Sequence, residues 1–209
     1  MNETTPSNEP NLYGILAIIA LILTTILWGS TFILTKTITQ DIPIFLYLGL
    51  RYIIAAIGFL PFFRHFKKIN KKHLTTGFIT GIIYFFGIVF QTYGLQTTTA
   101  GKAGFITGLS TVMVPFLGWI MFRDKFKKRI YLALFLSILG MALLLLEKET
   151  LIIIGDILVL ICAFFYALFI ILNDKYVKII DVYLYSFIQL ITLSIFSFGG
   201  SLLLQESYN

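Results

Sequence analysis

Leu12–Thr35 reads LYGILAIIALILTTILWGSTFILT, with no charged side chain and no proline. The hydrocarbon core of a bilayer is about 30 Å thick and takes about 20 apolar residues per helix. The stretch is long enough to cross it. Six further runs behave alike: Ile42–Phe63, Leu74–Leu95, Ala103–Phe122, Ile130–Leu146, Leu151–Leu172 and Val182–Leu204. They are continuously apolar, whereas barrel strands alternate in segments of about ten residues. Backbone groups in lipid must be satisfied within the chain, so the runs read as helices. The fold class is all-α, a polytopic membrane helix bundle.

Composition agrees. Apolar and aromatic residues make up 58% of the 209 and charged ones 12%, about half the charge of a soluble domain. The net charge of +6 sits in short clusters between apolar runs. No basic stripe carries interleaved aromatics, so nucleic acid is excluded as a partner. The connections are too short for a separate domain. Residues 1–11 are polar, with Glu3 and Glu9, unlike the positive start of a signal peptide. They read as a disordered cytoplasmic tail.

Orientation follows from Lys and Arg. The second, fourth and sixth connections share one side and hold twelve of them, among them Arg64, Lys67, Lys127 and Lys175. The opposite side holds three: Lys36, Lys102 and Lys148. The bias places the N-terminus in the cytoplasm and Asn209 outside. The expected location is the bacterial inner membrane, with the lipid bilayer as the first partner.

A shift of 138 residues lays the first two spans over the sixth and seventh without gaps. Trp28 falls on Tyr166, Tyr47 on Tyr185, Arg51 on Gln189, Leu34 on Leu172 and Leu46 on Leu184. The shift covers five helices, an odd number, so the second unit is inverted in the membrane. The domain reading is one complete five-helix repeat over 12–146 and two helices of a second over 151–209.

Polar and small residues fall on single helix faces. The first span aligns Thr24, Trp28, Thr31 and Thr35, and its repeat partner aligns Cys162, Tyr166, Phe169 and Asn173. The third aligns Gly77, Thr80, Gly81, Tyr84, Gly87, Gln91 and Gly94; the fourth aligns Gly101, Gly104, Gly108, Thr111, Pro115 and Gly118. Small residues let membrane helices approach, and polar ones turn away from lipid. Gly77, Gly81, Gly104, Gly108 and Pro115 read as packing positions. Trp28, Thr31, Tyr84, Gln91 and Tyr166 read as the wall of a substrate cavity. Arg51 lies about nine residues into the second span, near the midplane, where a charge is turned inward or faces water. It joins the cavity set, with carbonyls or polar groups of the first and third spans as its partners.

No Asp or Glu lies mid-span; Asp156 and the other acids sit near helix ends. A buried carboxylate is the common proton relay, so exchange or downhill export is the expected mode. A lone midplane cation favours an anionic or zwitterionic solute. No catalytic set, phosphate loop or metal-ligand cluster appears, and no cofactor or metal is expected. Cys162 is the single cysteine, and His65 and His73 lie in a lysine-rich connection, where they read as solvated. The chain reads as no enzyme.

The order of these residues resembles a known family. Trp28-Gly29-Ser30-Thr31-Phe32, then Lys36, Pro43 and Arg51, is similar to the opening of the EamA-type branch of the drug/metabolite transporter superfamily. Gly94-Leu95-Gln96-Thr97-Thr98-Thr99-Ala100-Gly101-Lys102-Ala103 resembles its third connection. Pro115 and Phe122-Arg123-Asp124 resemble its fourth helix end, with Asp124 where Glu is usual. Gly140 and Gly155-Asp156 fit its fifth helix and second repeat. The resemblance implies ten helices in two inverted repeats around a central cavity, and export or exchange of small metabolites by alternating access. Seven spans are present, so the expectation is a chain truncated after the seventh helix, with a second copy as a candidate partner in a homodimer. The rival reading is a non-transporting membrane interaction protein, or an inactive remnant of such a carrier.

Overall fold

Why α3 takes the centre of the bundle follows from its sequence. Gly77, Gly81, Gly87 and Gly94 share one face of this helix with Thr80 and Gln91, and that face is buried. The computed structural model describes residues 12–62, 69–123, 128–145 and 153–206. Its helices are α1 (Leu12–Asp41), α2 (Ile44–Ile57), α3 (Lys71–Thr97), α4 (Ala100–Gly108), α5 (Ser110–Phe122), α6 (Lys128–Leu145), α7 (Ile154–Tyr176) and α8 (Val182–Leu203). No strand occurs among the described residues. The chain is a polytopic helical bundle. Five spans are long and apolar enough to cross a membrane by length and composition, the joined Ala100–Phe122 among them; α2 and Arg129–Gly140 are shorter apolar helices. Residues 1–11, with the connections holding Arg64, His65, Lys67, Asp124, Lys127 and Lys148, lie outside the described residues.

The fourth span is one helix in the sequence reading and two in the structure. The break falls at Leu109, whose N–H bonds Ile106 O at 3.0 Å instead of continuing the α ladder. The Thr111 hydroxyl donates to Gly108 O at 2.8 Å, and Pro115 follows inside α5. A hydroxyl bonded back to the ladder bends a helix, and a proline lacks its own N–H. The first span runs past Thr35 to Asp41. Thr37 and Thr39 bond back to Ile33 O and Thr35 O, and Pro43 then stops the helix.

α3 lies against α7 and α8, α2 packs on α8, and α5 packs on α7. At Gly81 an added methyl would lie 2.8 Å from Thr192 Cβ, and at Gly94 it would lie 2.8 Å from Gly155 O. Two apolar clusters flank this spine. Phe32, Leu95, Ala103, Ile106, Leu109 and Val159 form one; Leu48, Tyr52, Phe85, Ile88 and Leu193 form the other. α1 joins the bundle through its last turns, where Phe32, Thr35 and Thr39 are buried, while residues 14–30 are exposed. In a bilayer that exposed apolar surface meets lipid.

Contacts mark two ends of the bundle. At one, Glu206 accepts from Phe45 N and Leu46 N, both at 3.2 Å; this is the Asp41 end. At the other, Phe62 stacks on Tyr183 at 4.4 Å; this is the His73 end. Phe45 also packs against Gly200, where an added methyl would lie 2.7 Å from its ring. Tyr183 lies 138 after Phe45, and Gly200 lies 138 after Phe62, so the repeat shift exchanges the two contacts. A two-fold relation between α2 and α8 produces such an exchange.

His73 corrects its reading as a solvated residue. It is 6% exposed and sits in the first turn of α3. Its Nδ1 lies 2.8 Å from Asn70 Oδ1, and its Nε2 accepts from Asp181 N at 3.2 Å. The helix start there needs partners for its open N–H groups, and Asn70 caps it with a 3.1 Å bond from His73 N.

The seam yields a test. Gly94→Ala should lower the thermal midpoint in detergent, because the nearest groups, Val159 Cγ2 at 2.6 Å and Gly155 O, include backbone that cannot step aside. Overpacking of this kind costs about 1–3 kcal/mol. Gly104→Ala and Gly108→Ala meet nothing within 4 Å and should hold the midpoint. Equal midpoints for all three would refute the seam.

Candidate functional site

Arg51 lies two turns into α2, roughly 10 Å along the axis from the helix start. Tyr47 is one turn earlier on the same face. The Arg51 Nη1 donates to Thr35 Oγ1 at 3.3 Å and Tyr47 Oη at 3.4 Å. Thr35 Oγ1 and Tyr47 Oη are themselves 2.9 Å apart. The guanidinium carbon is 5.7 Å from the Tyr52 ring centre, a cation–π distance. The groups around the charge are the phenols of Tyr52, Tyr47, Tyr84 and Tyr166. No described carboxylate bonds it.

From Tyr52 an aromatic and polar line runs inward. The Tyr52 hydroxyl lies 3.4 Å from that of Tyr84. The Tyr84 ring is 5.5 Å from Tyr166 and stacks on Phe169 at 4.7 Å. Tyr166 Oη donates to Gln91 Oε1 at 3.4 Å, and Gln91 Nε2 donates to Thr107 Oγ1 at 3.0 Å. Gly87 makes room for this line: a methyl there would lie 2.6 Å from the Tyr166 ring. Buried Cys162 lies against Thr107 and Tyr166.

Of the residues read as a cavity wall, the structure brings together Arg51, Tyr84, Gln91 and Tyr166. Trp28 and Thr31 stay apart. Trp28 is 48% exposed and contacts Phe32 at 6.2 Å between centroids. The Thr31 hydroxyl bonds back to Trp28 O at 2.7 Å. Both lie on the part of α1 that the bundle does not cover. Among the packing positions, Gly77 and Gly81 abut Ile188 and Thr192 of α8, while Gly104 and Gly108 face open space. Pro115 lines a cleft of about 790 Å³ between α5, α6 and α7, with Phe122, Asp174 and Lys175.

Two constellations escaped the sequence reading as sites. At the Asp41 end, buried Lys102 and Asp156 form an ion pair at 2.7 Å. Asp156 also accepts from Thr98 Oγ1 and, at 3.2 Å, from Ile153 N. Lys36 donates to Thr98 O, so α1, α4 and α7 meet around one carboxylate. The visible signal was the Gly155-Asp156 pair; Lys102 reads as a loop cation until the fold is known. Toward the His73 end, Gln189 Nε2 donates to Thr80 Oγ1 at 2.8 Å and Asn173 Oδ1 at 3.0 Å. Tyr185 Oη donates to the same Asn173 oxygen at 2.6 Å. Asn173 and Gln189 carried a signal, as repeat partners of Thr35 and Arg51.

Among the described residues no group of three His, Cys, Asp or Glu could hold a metal. The line from Arg51 to Thr107 offers one cation, four phenols and a carboxamide among apolar helices.

The model of the EamA-like transporter family matches residues 15–146. An uncharacterized transporter of Archaeoglobus fulgidus is 34% identical over 179 residues, covering 86% of this chain and 56% of that protein. The uncharacterized transporter YetK of Bacillus subtilis is 28% identical over 54% of this chain and 36% of its own. YoaV of the same organism is 31% identical over 51% of this chain and 38% of its own. The chain thus spans about half the length, or less, of these relatives. No solved structure matches it.

The buried ion pair carries its own prediction. Asp156→Ala or Lys102→Ala leaves the other charge unpaired among helices and should destabilise by about 3–5 kcal/mol. The double change to Leu and Met should recover most of that loss. Thermal melting of the three variants in one detergent checks this; a double variant weaker than both singles would contradict it.

Proposed function

The chain belongs to the EamA-like transporter family, and from that premise we propose that it is a carrier of small metabolites working by alternating access. The observation that carries the reading is the line Arg51–Tyr52–Tyr84–Tyr166–Gln91–Thr107, built on four helices inside a membrane bundle. A membrane helix that only packs gains from small residues at its seams. Large phenols and an arginine in their place indicate a surface that a solute touches.

In this reading Arg51, Tyr84, Gln91 and Tyr166 contact the solute, and Trp28 and Thr31 form the wall on the α1 side. The two-fold exchange of contacts between α2 and α8 supports an inverted-repeat mechanism, in which the units alternate around a central site. The chain sits in the bacterial inner membrane with its N-terminus in the cytoplasm, so the His73 end faces inward and the Asp41 end outward. Solute leaves downhill or by exchange. Exposed Trp28 and half-buried Thr31 suit a face that other helices cover, and a homodimer is one source of them.

Two measurements test the proposal. Untargeted analysis of the medium from overexpressing cells should show at least one small metabolite enriched over a vector control; an unchanged medium would defeat the carrier reading. Single cysteines placed at Lys67 and Lys127 should react with a membrane-permeant maleimide and resist an impermeant one added outside. Labelling of Lys127→Cys from outside would overturn the orientation.

A further inference from the structure

The repeat shift supplies an internal comparison for Arg51. Thr35, Tyr47 and Arg51 lie 138 positions before Asn173, Tyr185 and Gln189. The two triads are wired alike. In each, a tyrosine hydroxyl bonds a polar side chain twelve residues earlier on the preceding helix: Tyr47 Oη to Thr35 at 2.9 Å, and Tyr185 Oη to Asn173 at 2.6 Å. In each, the residue one turn later donates to that same side chain: Arg51 Nη1 to Thr35 at 3.3 Å, and Gln189 Nε2 to Asn173 at 3.0 Å. A neutral carboxamide therefore holds this triad together, and holds it at shorter distances than the arginine does. The architecture has no need of a charge at position 51.

The charge is also poorly satisfied. A guanidinium carries five N–H donors. Among the described residues Arg51 uses Nη1 alone, on two hydroxyls that bring no negative charge. Gln189, by contrast, places its amide nitrogen on Thr80 and Asn173 at 2.8 and 3.0 Å. The titratable neighbours of Arg51 come from α2, α3 and α7 and are all phenols: Tyr47, Tyr52, Tyr84 and Tyr166. The two described carboxylates in ion pairs are elsewhere, Asp156 on Lys102 and Asp174 on Lys178. An intramembrane cation with no counter-charge is expensive, and the geometry suited to a guanidinium fork is a two-oxygen anion.

We propose that Arg51 determines specificity by receiving the carboxylate or phosphate oxyanion of the transported solute, which supplies a counter-charge that none of the described residues brings to it. The proposal rests on the carrier reading and names the substrate class of that site. A lipid phosphate offers the same chemistry. The solute is favoured because Arg51 sits two turns inside α2 and beside Tyr52, which is 4% exposed, on the line leading to Gln91.

The test is Arg51→Gln, which installs the residue of the sister triad, with Arg51→Lys alongside. The Gln variant should fold, with expression and melting midpoint close to those of the parent chain. Release of anionic or zwitterionic metabolites from overexpressing cells should fall roughly tenfold or more, as expected for loss of a charged hydrogen bond. Arg51→Lys should retain part of it. In phosphatidylcholine nanodiscs, benzoate or inorganic phosphate should raise the midpoint of the parent chain, and neither should move that of Arg51→Gln.

Several outcomes overturn the proposal. One is a collapse of Arg51→Gln on purification, which would make the charge architectural. Another is an unchanged profile of released anions. A third is stabilisation by phosphatidylglycerol that Arg51→Gln abolishes, with no response to either soluble anion; Arg51 would then be a lipid site. Absence of an Arg51-dependent response to both soluble anions also counts against it. If the parent chain releases no metabolite, the carrier reading fails on its own, and the nanodisc result still judges whether Arg51 holds an oxyanion.

Discussion

The close approach of α3 to α7 and α8 is the constraint on which the rest of the bundle depends. Lipid supplies no hydrophobic drive between helices, so association comes from packing and interhelical hydrogen bonds. Gly77, Gly81, Gly87 and Gly94 bring α3 near enough for both. At Gly81 and Gly94 the neighbouring backbone comes close. Between them, Thr80 reaches Gln189, and Gln91 reaches Thr107 and Tyr166. One face of one helix thus packs the bundle and holds its polar interior.

The charges within the helices are treated in two ways. Lys102 and Asp156 neutralise each other at 2.7 Å, and Thr98 and Ile153 N complete the carboxylate's shell. Such a pair adds little net stability, because desolvation offsets the attraction. What it adds is registry: the start of α4 and the start of α7 must stay together for either charge to be satisfied. Lys36 brings α1 to the same place through Thr98 O. Arg51 has no such arrangement. Its contacts are hydroxyls and an aromatic face, which tolerate a cation without discharging it. Among the described residues the buried acid holds the Asp41 end together, and no carboxylate bonds the cation of α2.

Much of the fold was legible because lipid makes the code simple. Length and continuity of apolar runs located the five long spans, while the runs at Ile42–Phe63 and Ile130–Leu146 hold shorter apolar helices, and the helical character followed from the backbone's need for internal partners. Boundaries were harder. α1 passes Thr35 because threonines can bond back to their own helix, and the fourth span breaks at Leu109, a residue with no breaking tendency of its own. The face of α3 was readable from spacing alone. Burial was not: α1 and α3 carry similar polar stripes, yet Trp28 is exposed while Gln91 is 5% exposed. Which stripe meets a partner depends on the other helices, and that information is spread along the chain. His73 and Lys102 were misjudged for the same reason. A charged or polar residue in a short connection looks solvated until a distant backbone, here Asp181 N or Asp156, arrives beside it.

The two triads place the mechanism of a repeat protein in concrete terms. In the proposed inverted-repeat reading, the two triads are equivalent places in two units of opposite orientation. Here the Asn173–Tyr185–Gln189 triad is tied to α3 through Thr80, with every bond between 2.6 and 3.0 Å. The Thr35–Tyr47–Arg51 triad spans 2.9 to 3.4 Å. In the proposed carrier, a difference of this kind between equivalent places would let one end hold while the other yields. The looser end is also the one with the unspent charge. A solute that satisfied Arg51 would tighten the triad that is now open, coupling occupancy of the site to the state of the bundle.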